Sequence, residues 1–338
     1  MPIAVLENAE LADLNSFGVA ATAARLVSYD DPADVVEALE ASGGHGARLV
    51  IGAGTNLLFT ADFEGTILRV CTTGRRVLDD GPGGVLVEAE AGEPWDAFVQ
   101  WTLAQGLCGL ENLSLIPGSA GASPIQNIGA YGVEMRDTFA GLTAIDLGSG
   151  AAREFDPAQC CFDYRDSLFK HPDGRRWLIL RVRFRLSREP RLHLDYGELR
   201  EELARAGCDR PTPTDVARAV TALRRRKLPD PAALGNAGSF FKNPVVSQAQ
   251  AEAMRERFPG LPVWSSASGA KISAAWMIEH CGWKGVREGD AAVHAAHSLV
   301  LVNHGHATGA QLLALAMRIR SSVMDAFGVL LEPEPLIA

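Results

Sequence analysis

The first residues able to bind a ligand follow a short apolar stretch near the start of the chain. Gly52-Ala53-Gly54-Thr55-Asn56 comes directly after Arg48-Leu49-Val50-Ile51. Glycines let main-chain N–H groups approach a phosphate closely, and Thr55 and Asn56 add side-chain donors. The segment lacks both the spacing of a dinucleotide fingerprint and the lysine of a phosphate-binding loop. Taken alone, it indicates either a phosphate cradle or an ordinary turn between a strand and a loop.

A second glycine-rich segment covers residues 116–132 and reads IPGSAGASPIQNIGAYG. A loop of this length without periodicity is usually functional. Gln126 and Asn127 offer both donors and acceptors, which the edge of an isoalloxazine ring requires. The alternative is a glycine-rich crossover without a ligand. Taken with the first segment, it indicates one long cofactor bound between the two, and a flavin dinucleotide fits that description.

A serine is the strongest candidate for proton chemistry. Ser239 follows Gly235-Asn236-Ala237-Gly238 and lies between Lys227 and Lys242. These lysines could stabilise an anion or polarise the hydroxyl. The flanking sequence is not a G-x-S-x-G elbow, so an acyl-transfer nucleophile is not expected. The alternative is a serine with a structural role only.

Other polar residues have simpler explanations when they are considered one at a time. Arg165 could pair with a neighbouring aspartate, and Glu334 could be a surface charge near the end of the chain. His294 and His297 precede an apolar strand, and a third ligand is not evident. We therefore expect core or surface histidines and no metal site.

The elements that position these residues follow from hydrophobic periodicity and from turn signals. The sequence predicts an α+β protein of three domains covering residues 1–76, 77–225 and 226–330, with the tail 331–338 returning to the active site. The turn Gly81-Pro82-Gly83-Gly84 lies near the first boundary. Predicted strands are 48–51, 66–70, 85–91, 142–147, 177–186 and 299–302, and predicted helices are 31–39, 94–105, 214–226, 247–258, 273–281 and 308–327.

Composition limits the possible partners and the compartment. The formal net charge of −9 weighs against binding along a nucleic-acid backbone. The alternating arginines of 181–185 are therefore interpreted as a solvated face. The six cysteines include no C-x-x-C pair, and residues 1–13 carry acids where a signal peptide carries bases. We expect reduced thiols, no membrane association and a cytoplasmic protein.

Six ordered motifs, together with Asn15-Ser16-Phe17-Gly18, resemble the family of UDP-N-acetylenolpyruvoylglucosamine reductases. The resemblance extends to Glu334 and is closest to the branch with the longer insertion, which contains Tyr196. The motifs are GxGTNLL at 52–58, the segment 116–132, YRDSxFK at 164–170, KLPDP at 227–231, GNAGSFFKNP at 235–244 and LEPE at 331–334.

The resemblance implies a flavin-binding fold of the vanillyl-alcohol-oxidase type with a third, substrate-binding domain. It also implies a monomer that uses FAD and NADPH to reduce a UDP-sugar in cell-wall precursor synthesis. Hydride would pass from flavin N5 to the enolpyruvyl β-carbon, and Ser239 would protonate the α-carbon. Arg165 would bind the substrate carboxylate through its fork, and Glu334 would complete the catalytic group.

Binding residues are carried over by their places in the motifs. FAD would be bound by Gly52, Ala53, Gly54, Thr55, Asn56, Leu57, Pro117, Gly118, Gly121, Ser123, Ile125, Gln126, Asn127, Gly129, Tyr131 and Arg224. The UDP-sugar would be bound by Tyr164, Tyr196, Lys227, Asn243 and Lys284. Many relatives continue after LEPE with Val-Arg, whereas this chain has Pro335-Leu336-Ile337-Ala338. This weakens a contact of a tail arginine with flavin, and it leaves Glu334 four residues from a terminus that could fray.

Two other functions remain open. One is a different flavin enzyme of the same fold, such as an oxidase that tethers flavin through a histidine; His45 is the histidine nearest the first glycine-rich segment. The other is a sugar-nucleotide-binding protein without catalysis. The joint presence of Arg165, Ser239 and Glu334 argues against the second alternative.

Overall fold

The computed structural model describes residues 3–44, 46–266 and 268–338. His45, the possible flavin tether, lies outside the described residues. The chain divides into two compact units. The first comprises Met1–Ala9, Ala23–Ala53 and Glu64–Arg226, and the second comprises Glu10–Thr22, Gly54–Phe63 and Lys227–Ala338. The division into three domains stays a prediction.

Strands and helices are distributed along the whole described chain. The strands are β1 (Ala4–Glu10), β2 (Thr22–Tyr29), β3 (Ala47–Ile51), β4 (Leu57–Leu58), β5 (Phe63–Val70), β6 (Arg75–Gly81), β7 (Gly84–Glu90), β8 (Gly129–Ala130), β9 (Val133–Glu134), β10 (Phe139–Asp146), β11 (Ala152–Phe155), β12 (Trp177–Leu186), β13 (Gly235–Ser239), β14 (Val245–Val246), β15 (Val263–Ser266), β16 (Gly269–Ile272), β17 (Arg287–Glu288), β18 (Ala291–Val293), β19 (Val300–Asn303) and β20 (Leu336–Ile337). The α-helices are α1 (Val35–Ala41), α2 (Trp95–Ala104), α3 (Gly197–Arg205), α4 (Pro213–Lys227), α5 (Gln248–Arg257), α6 (Ala274–His280) and α7 (Gly309–Phe327).

The first sheet of the first unit has the strand order β1-β2-β5-β3. Strands β3 and β5 are parallel, with Leu49 opposite Ile67. The carboxylate of Asp31 accepts a hydrogen bond from the N–H of Ala33, which starts a turn of 3-10 helix that leads into α1. The predicted helix start is therefore correct. Strands β1 and β2 were not predicted, because β1 is exposed at all but one position and offers little hydrophobic signal.

The second sheet is antiparallel, with the order β11-β10-β12-β7-β6. Strands β6 and β7 form a hairpin closed at Gly81 and Gly84, so the predicted domain boundary after residue 76 falls within β6. The aromatic residues Trp95, Phe98 and Phe184 pack together beneath this sheet. On β12, Arg183 pairs with Glu88 of the neighbouring strand β7 and with Glu154 of β11, which lies beyond β10 in the sheet. At least this member of the arginine stripe is therefore neutralised by carboxylates.

The first unit ends with two helices, α3 and α4. They bury a small apolar cluster, which consists of Leu199, Leu203, Val216, Ala219, Val220 and Leu223. Helix α4 runs to Lys227 and so carries the basic residues 224–227 in its last turn. Cations in a last turn interact favourably with the helix dipole.

The second unit contains a sheet of order β13-β19-β18-β17, a sheet of order β14-β16-β15, and the parallel pair β20-β4. Helix α7 covers its core with the buried side chains of Leu312, Leu315 and Ile319. A capping box between Thr308 and Gln311 begins α7, and a left-handed Gly328 ends it. These are the limits that the sequence predicts for this helix.

None of the helices in the described part combines the length and apolarity that a bilayer crossing requires. All six cysteines lie in the described ranges, and each is a free thiol.

Candidate active site

Arg165 lies in a tight turn of the first unit. Main-chain hydrogen bonds join Asp163 and Asp166 in both directions, so Tyr164 and Arg165 form the tip between them. Arg165 has a left-handed φ of 53°. A residue other than glycine adopts this conformation only at a cost, and such residues concentrate at functional sites.

Three contacts hold the Arg165 turn. The guanidinium donates from Nη2 to the carbonyl oxygen of Gly129 at 2.6 Å, and it lies 5.6 Å from the centre of the Tyr164 ring. Lys170 Nζ donates to the carbonyl oxygen of Arg165 at 3.2 Å. The sequence analysis gave Lys170 no role, although it belongs to the YRDSxFK motif. The Arg165 side chain is thus joined directly to the second glycine-rich segment.

The second glycine-rich segment is fixed by its own side chains. Asn127, which is fully buried, donates to Glu134 at 2.9 Å and to the carbonyl oxygen of Asp163 at 3.0 Å. Its Oδ1 accepts from the N–H of Arg136. The Ser123 hydroxyl donates to the carbonyl oxygen of Ala120 at 2.7 Å. Both side chains therefore stabilise the loop, so any contact of Ser123 or Asn127 with a flavin falls mainly to the main chain.

Ser167 makes a further link that the sequence analysis missed. Its buried hydroxyl donates to the carbonyl oxygen of Ile125 at 2.6 Å. Together with the Asn127 and Arg165 bonds, this link ties the glycine-rich loop to the Arg165 turn at three points. The sequence signal for this link was the presence of Ser167 and Lys170 together in the YRDSxFK motif.

The accessible side of this loop fits a flavin. Ile125 is 40% exposed although it is apolar, and Gln126 beside it is half-buried. An apolar surface next to an amide suits a flat ring with a polar edge. The loop also packs closely where it is buried: a Cβ on Gly121 would lie 2.5 Å from that of Ala91.

The first glycine-rich segment packs without spare room. Gly52 approaches Ser119 so closely that a Cβ would lie 2.4 Å from the serine Oγ. Gly54 has a φ of +65°, and a Cβ there would lie 1.9 Å from the carbonyl oxygen of Leu14. Ser16 donates its hydroxyl to the carbonyl oxygen of Thr55 at 3.2 Å. The glycines at 52 and 54 are therefore required for close packing against Ser119 and Leu14, and their approach to a phosphate stays a prediction.

Two arginines and two tyrosines gather on the first unit. Arg224 donates from Nε to the carbonyl oxygen of Leu115 at 3.2 Å. Burial lowers the pKa of Arg224; the charge of Arg165 lowers this pKa further, whereas Tyr131 opposes the shift. Tyr131 packs edge-on against Tyr196 at 5.2 Å, and burial raises the pKa of Tyr131 to about 12. Arg224, which the sequence analysis assigned to flavin, thus lies within electrostatic reach of Arg165 and Tyr131.

Ser239 is the last residue of β13 in the second unit. The ladder between β13 and β19 is irregular between Asn236 and Ser239, and Gly238 has a left-handed φ of +69°. Such bulges redirect a side chain and are frequent beside active sites. The buried Asn236 accepts from the N–H of Gly238 at 2.9 Å, which fixes the approach to the serine. Phe240 is fully buried.

Glu334 lies on a segment that runs alongside Ser239. Its main-chain N–H donates to the carbonyl oxygen of Phe240 at 2.8 Å. The neighbouring residues pair as well, through the bridge between Phe241 and Pro333. The structure therefore brings Ser239 and Glu334, 95 positions apart in sequence, onto adjacent segments of one unit.

The tail beyond Glu334 is paired with another segment of the second unit. Leu336 and Ile337 pair in parallel with Leu57 and Leu58. The carbonyl oxygen of Ala338 accepts hydrogen bonds from the N–H and the hydroxyl of Thr60, at 2.8 and 2.9 Å. Main-chain pairing needs no particular side chain, so it holds the tail without the arginine that many relatives have.

The polar residues predicted to bind the UDP-sugar have partners of their own. Asn243 Oδ1 accepts from the N–H of Ala274 at 3.0 Å, near the start of α6. Lys284 pairs with Glu279 at 3.0 Å. Lys227 ends helix α4. Contact of these residues with a substrate stays a prediction.

His294 and His297 lie between β18 and β19, and His297 Nδ1 accepts from the N–H of Leu299 at 3.3 Å. Burial lowers the pKa of His294, with a smaller effect from His304. A search of the described residues found no group of three or more His, Cys, Asp or Glu side chains placed to hold a metal ion.

This fold and its two glycine-rich segments define a flavin-binding protein. The family model described as FAD binding domain matches residues 23–156. A second family model, described as UDP-N-acetylenolpyruvoylglucosamine reductase, C-terminal domain, matches residues 230–338. Together the two matches cover segments of both units.

Similarity over the whole chain then identifies the family. A UDP-N-acetylenolpyruvoylglucosamine reductase of Pseudomonas aeruginosa is 56% identical over 338 residues, with 99% of each chain covered. One of Chromobacterium violaceum is 52% identical over 331 residues, with 97% of each chain covered. The chain belongs to the UDP-N-acetylenolpyruvoylglucosamine reductase family.

A solved structure agrees with this assignment. The UDP-N-acetylenolpyruvylglucosamine reductase (MurB) of Thermus caldophilus matches with a TM-score of 0.67 and 25% identity, covering 100% of this chain and 99% of that one. The predicted family, the predicted α+β flavin-binding fold and the predicted cofactor FAD are confirmed by these matches.

Proposed function

We propose that this protein reduces the enolpyruvyl group of UDP-N-acetylglucosamine enolpyruvate to give UDP-N-acetylmuramate, a step of peptidoglycan precursor synthesis. The observation that carries the proposal is its 56% identity, over 99% of both chains, to a curated reductase of this name. The presence of Arg165, Ser239 and Glu334 in the described structure supports the same reaction chemically.

FAD bound by this chain and reduced by NADPH would supply the hydride for the β-carbon of the enolpyruvyl group. The chain's own residues must then stabilise the charge on the α-carbon and its carboxylate, and must deliver a proton. We assign the binding of FAD to the two glycine-rich segments, with Ile125 and Gln126 of the second on its accessible side.

Arg165 binds the substrate carboxylate in this proposal. Its planar fork can bond both carboxylate oxygens at once. The bonds to Gly129 and from Lys170 hold its turn in one conformation before substrate arrives. Arg224 strengthens the local positive field, because two guanidinium groups within electrostatic reach of each other favour an anion near both.

Ser239 delivers the proton to the α-carbon, and Glu334 orients a donor beside it. The adjacent segments that carry these two residues support this pairing of roles. A serine hydroxyl is a weak acid, so it needs a neighbour or a water that restores its proton. Glu334 is the carboxyl group that the main-chain pairing brings to that segment.

Five further residues bind the substrate in this proposal. Tyr164, Tyr196, Lys227, Asn243 and Lys284 contact the UDP-sugar, with the lysines against its diphosphate. The protein acts as a monomer, and it works in the cytoplasm, where its six free cysteines stay reduced.

Anaerobic flavin spectroscopy tests the proposal. Addition of NADPH should bleach the flavin absorbance, and addition of UDP-N-acetylglucosamine enolpyruvate should restore it within a few turnovers. An oxidase of the same fold would instead recover its colour rapidly with oxygen and would not respond to the UDP-sugar. A purified protein without flavin absorbance would support a role in binding only.

A further inference from the structure

The chain that leaves Glu334 is held by one residue of the first glycine-rich segment. Asn56 donates from Nδ2 to the carbonyl oxygen of Glu334 at 3.3 Å. The carbonyl oxygen of Asn56 accepts from the N–H of Leu336 at 3.0 Å. Both bonds lie within the second unit, and together they fix the chain from the carbonyl group of Glu334 to Leu336.

The two residues before Asn56 are held firmly by their own contacts. Gly54 adopts a left-handed conformation against Leu14 and leaves no room for a side chain. Ser16 bonds through its N–H to the carbonyl oxygen of Gly54 at 3.1 Å, and through its hydroxyl to that of Thr55 at 3.2 Å. A shift of Asn56 would therefore break several main-chain contacts.

The pairing around Asn56 fixes the register of the tail. Leu336 lies opposite Leu57, and Pro335 is buried beside them. A slip of one residue would turn every side chain of the tail to the other face. The Glu334 side chain would then lie on the opposite face of the tail.

We propose that Asn56 is a positioning residue for Glu334, in addition to any contact with flavin. This inference rests on the proposed function, because it concerns the carboxylate assigned to that reaction. Its two bonds set where the Glu334 main chain lies, while the Phe240 bond sets its distance from Ser239. The first glycine-rich segment thus supports the proton-transfer step as well as binding the cofactor.

Two variants break one link each. Leu336→Pro removes the N–H that donates to Asn56, and Leu336→Ala is its matched control, because Leu336 is 43% exposed and the alanine keeps the N–H. Asn56→Leu removes the Nδ2 donor at similar volume without adding charge. Each variant is purified with its flavin, and the two half-reactions are followed anaerobically by stopped-flow absorbance.

We expect Leu336→Pro and Asn56→Leu to slow flavin reoxidation by the UDP-sugar about tenfold to about 100-fold, because small misplacements of a reacting group have effects of that size. The loss should fall on kcat more than on KM, with flavin content and reduction by NADPH near the wild-type values for Leu336→Pro. Leu336→Ala should behave as wild type.

The inference is overturned if Leu336→Pro reoxidises as fast as Leu336→Ala, or if Asn56→Leu loses flavin while Leu336→Pro is unaffected. If Leu336→Pro does not fold, a normal rate of reoxidation in flavin-loaded Asn56→Leu overturns it, and a slowed rate supports it. Failure of the wild-type flavin to respond to the UDP-sugar would instead overturn the proposed function.

Discussion

The main-chain N–H of Glu334 donates to the carbonyl oxygen of Phe240 at 2.8 Å, one residue after Ser239. This bond joins two segments that are far apart in sequence, and it does not involve either functional side chain. Substitution of the serine hydroxyl or of the carboxylate should therefore leave the pairing intact. Changes in rate at these positions can be interpreted as chemistry rather than as loss of structure.

Ser239→Ala should slow reoxidation of the flavin by the UDP-sugar by about 10²–10⁴-fold, which is the usual contribution of a proton donor. Reduction by NADPH should continue at the wild-type rate, because it does not need this proton. Stopped-flow measurement of each half-reaction checks the prediction. Ser321→Ala, on the exposed side of α7, is the matched control. Equal slowing of both half-reactions would contradict the role of Ser239.

Arg165→Lys should lower kcat/KM for the UDP-sugar about 10-fold to about 100-fold. Lysine keeps the charge but cannot bond both carboxylate oxygens, and charge-assisted hydrogen bonds contribute about 1.5–3 kcal/mol. Steady-state kinetics measure the change, with Arg185→Lys at an exposed position of β12 as the control. Wild-type kinetics in Arg165→Lys would exclude bidentate binding by Arg165.

Gly54→Ala should prevent stable folding or flavin retention, because its Cβ would lie 1.9 Å from the carbonyl oxygen of Leu14. Gly150 provides the comparison: it is also left-handed, with a φ of +70°, but no atom lies within 4 Å of its built Cβ. Gly150→Ala should cost only the conformational penalty of about 1–2 kcal/mol. Thermal melting and flavin content distinguish the two. Similar melting temperatures would show that the segment around Gly54 can move.

The adjacent cysteines should differ sharply in reactivity. Burial raises the pKa of the Cys160 thiol to about 12, with smaller effects from Asp156 and Cys161. Cys161 is exposed. Iodoacetamide at pH 8 should therefore label Cys161 readily and Cys160 only after unfolding, since the thiolate is the reactive form.

The raised pKa of the Cys160 thiol also affects the stability of the fold at high pH. A raised folded-state pKa means that the unfolded thiol ionises first, so this contribution to stability is complete below about pH 9 and is lost towards about pH 12. Cys160→Ala should flatten the pH dependence of the urea midpoint in that range. Labelling of Cys160 in the native Cys161→Ala variant at pH 8 would contradict its burial.

Local sequence signals located six of the seven α-helices but only six of the twenty strands in the described part of the chain. Strand β12 alternates apolar and charged residues from Leu180 to Leu186, and helix α7 carries its own start and stop signals, so both were predicted closely. Strand β1 has almost no buried residue. In strand β6 the apolar residues Val77 and Leu78 are exposed, whereas the apolar residues of a strand in a covered sheet are buried. The hairpin of β6 and β7 therefore could not be distinguished from a linker between domains.

The candidate site could also be predicted only in part. Ser239, Arg165 and the two glycine-rich segments could be identified from residue types and motif order. The commitment of the Asn127 amide to its own loop could not, because a buried amide and a ligand-binding amide have the same sequence. The proximity of Arg224 to Arg165 could not be predicted either, because it depends on where α4 packs. Contact of Arg224 with flavin stays a prediction.

By itself, the sequence determined which chemical groups are present, where the glycines permit left-handed turns, and to which family the chain belongs. These properties depend on residue identity and on short-range sterics. Only the tertiary structure decided that Glu334 pairs with Phe240, the residue after Ser239, and that the tail pairs with Leu57 and Leu58. Main-chain hydrogen bonds between distant segments are nearly independent of side-chain identity, so the sequence carries little local record of them.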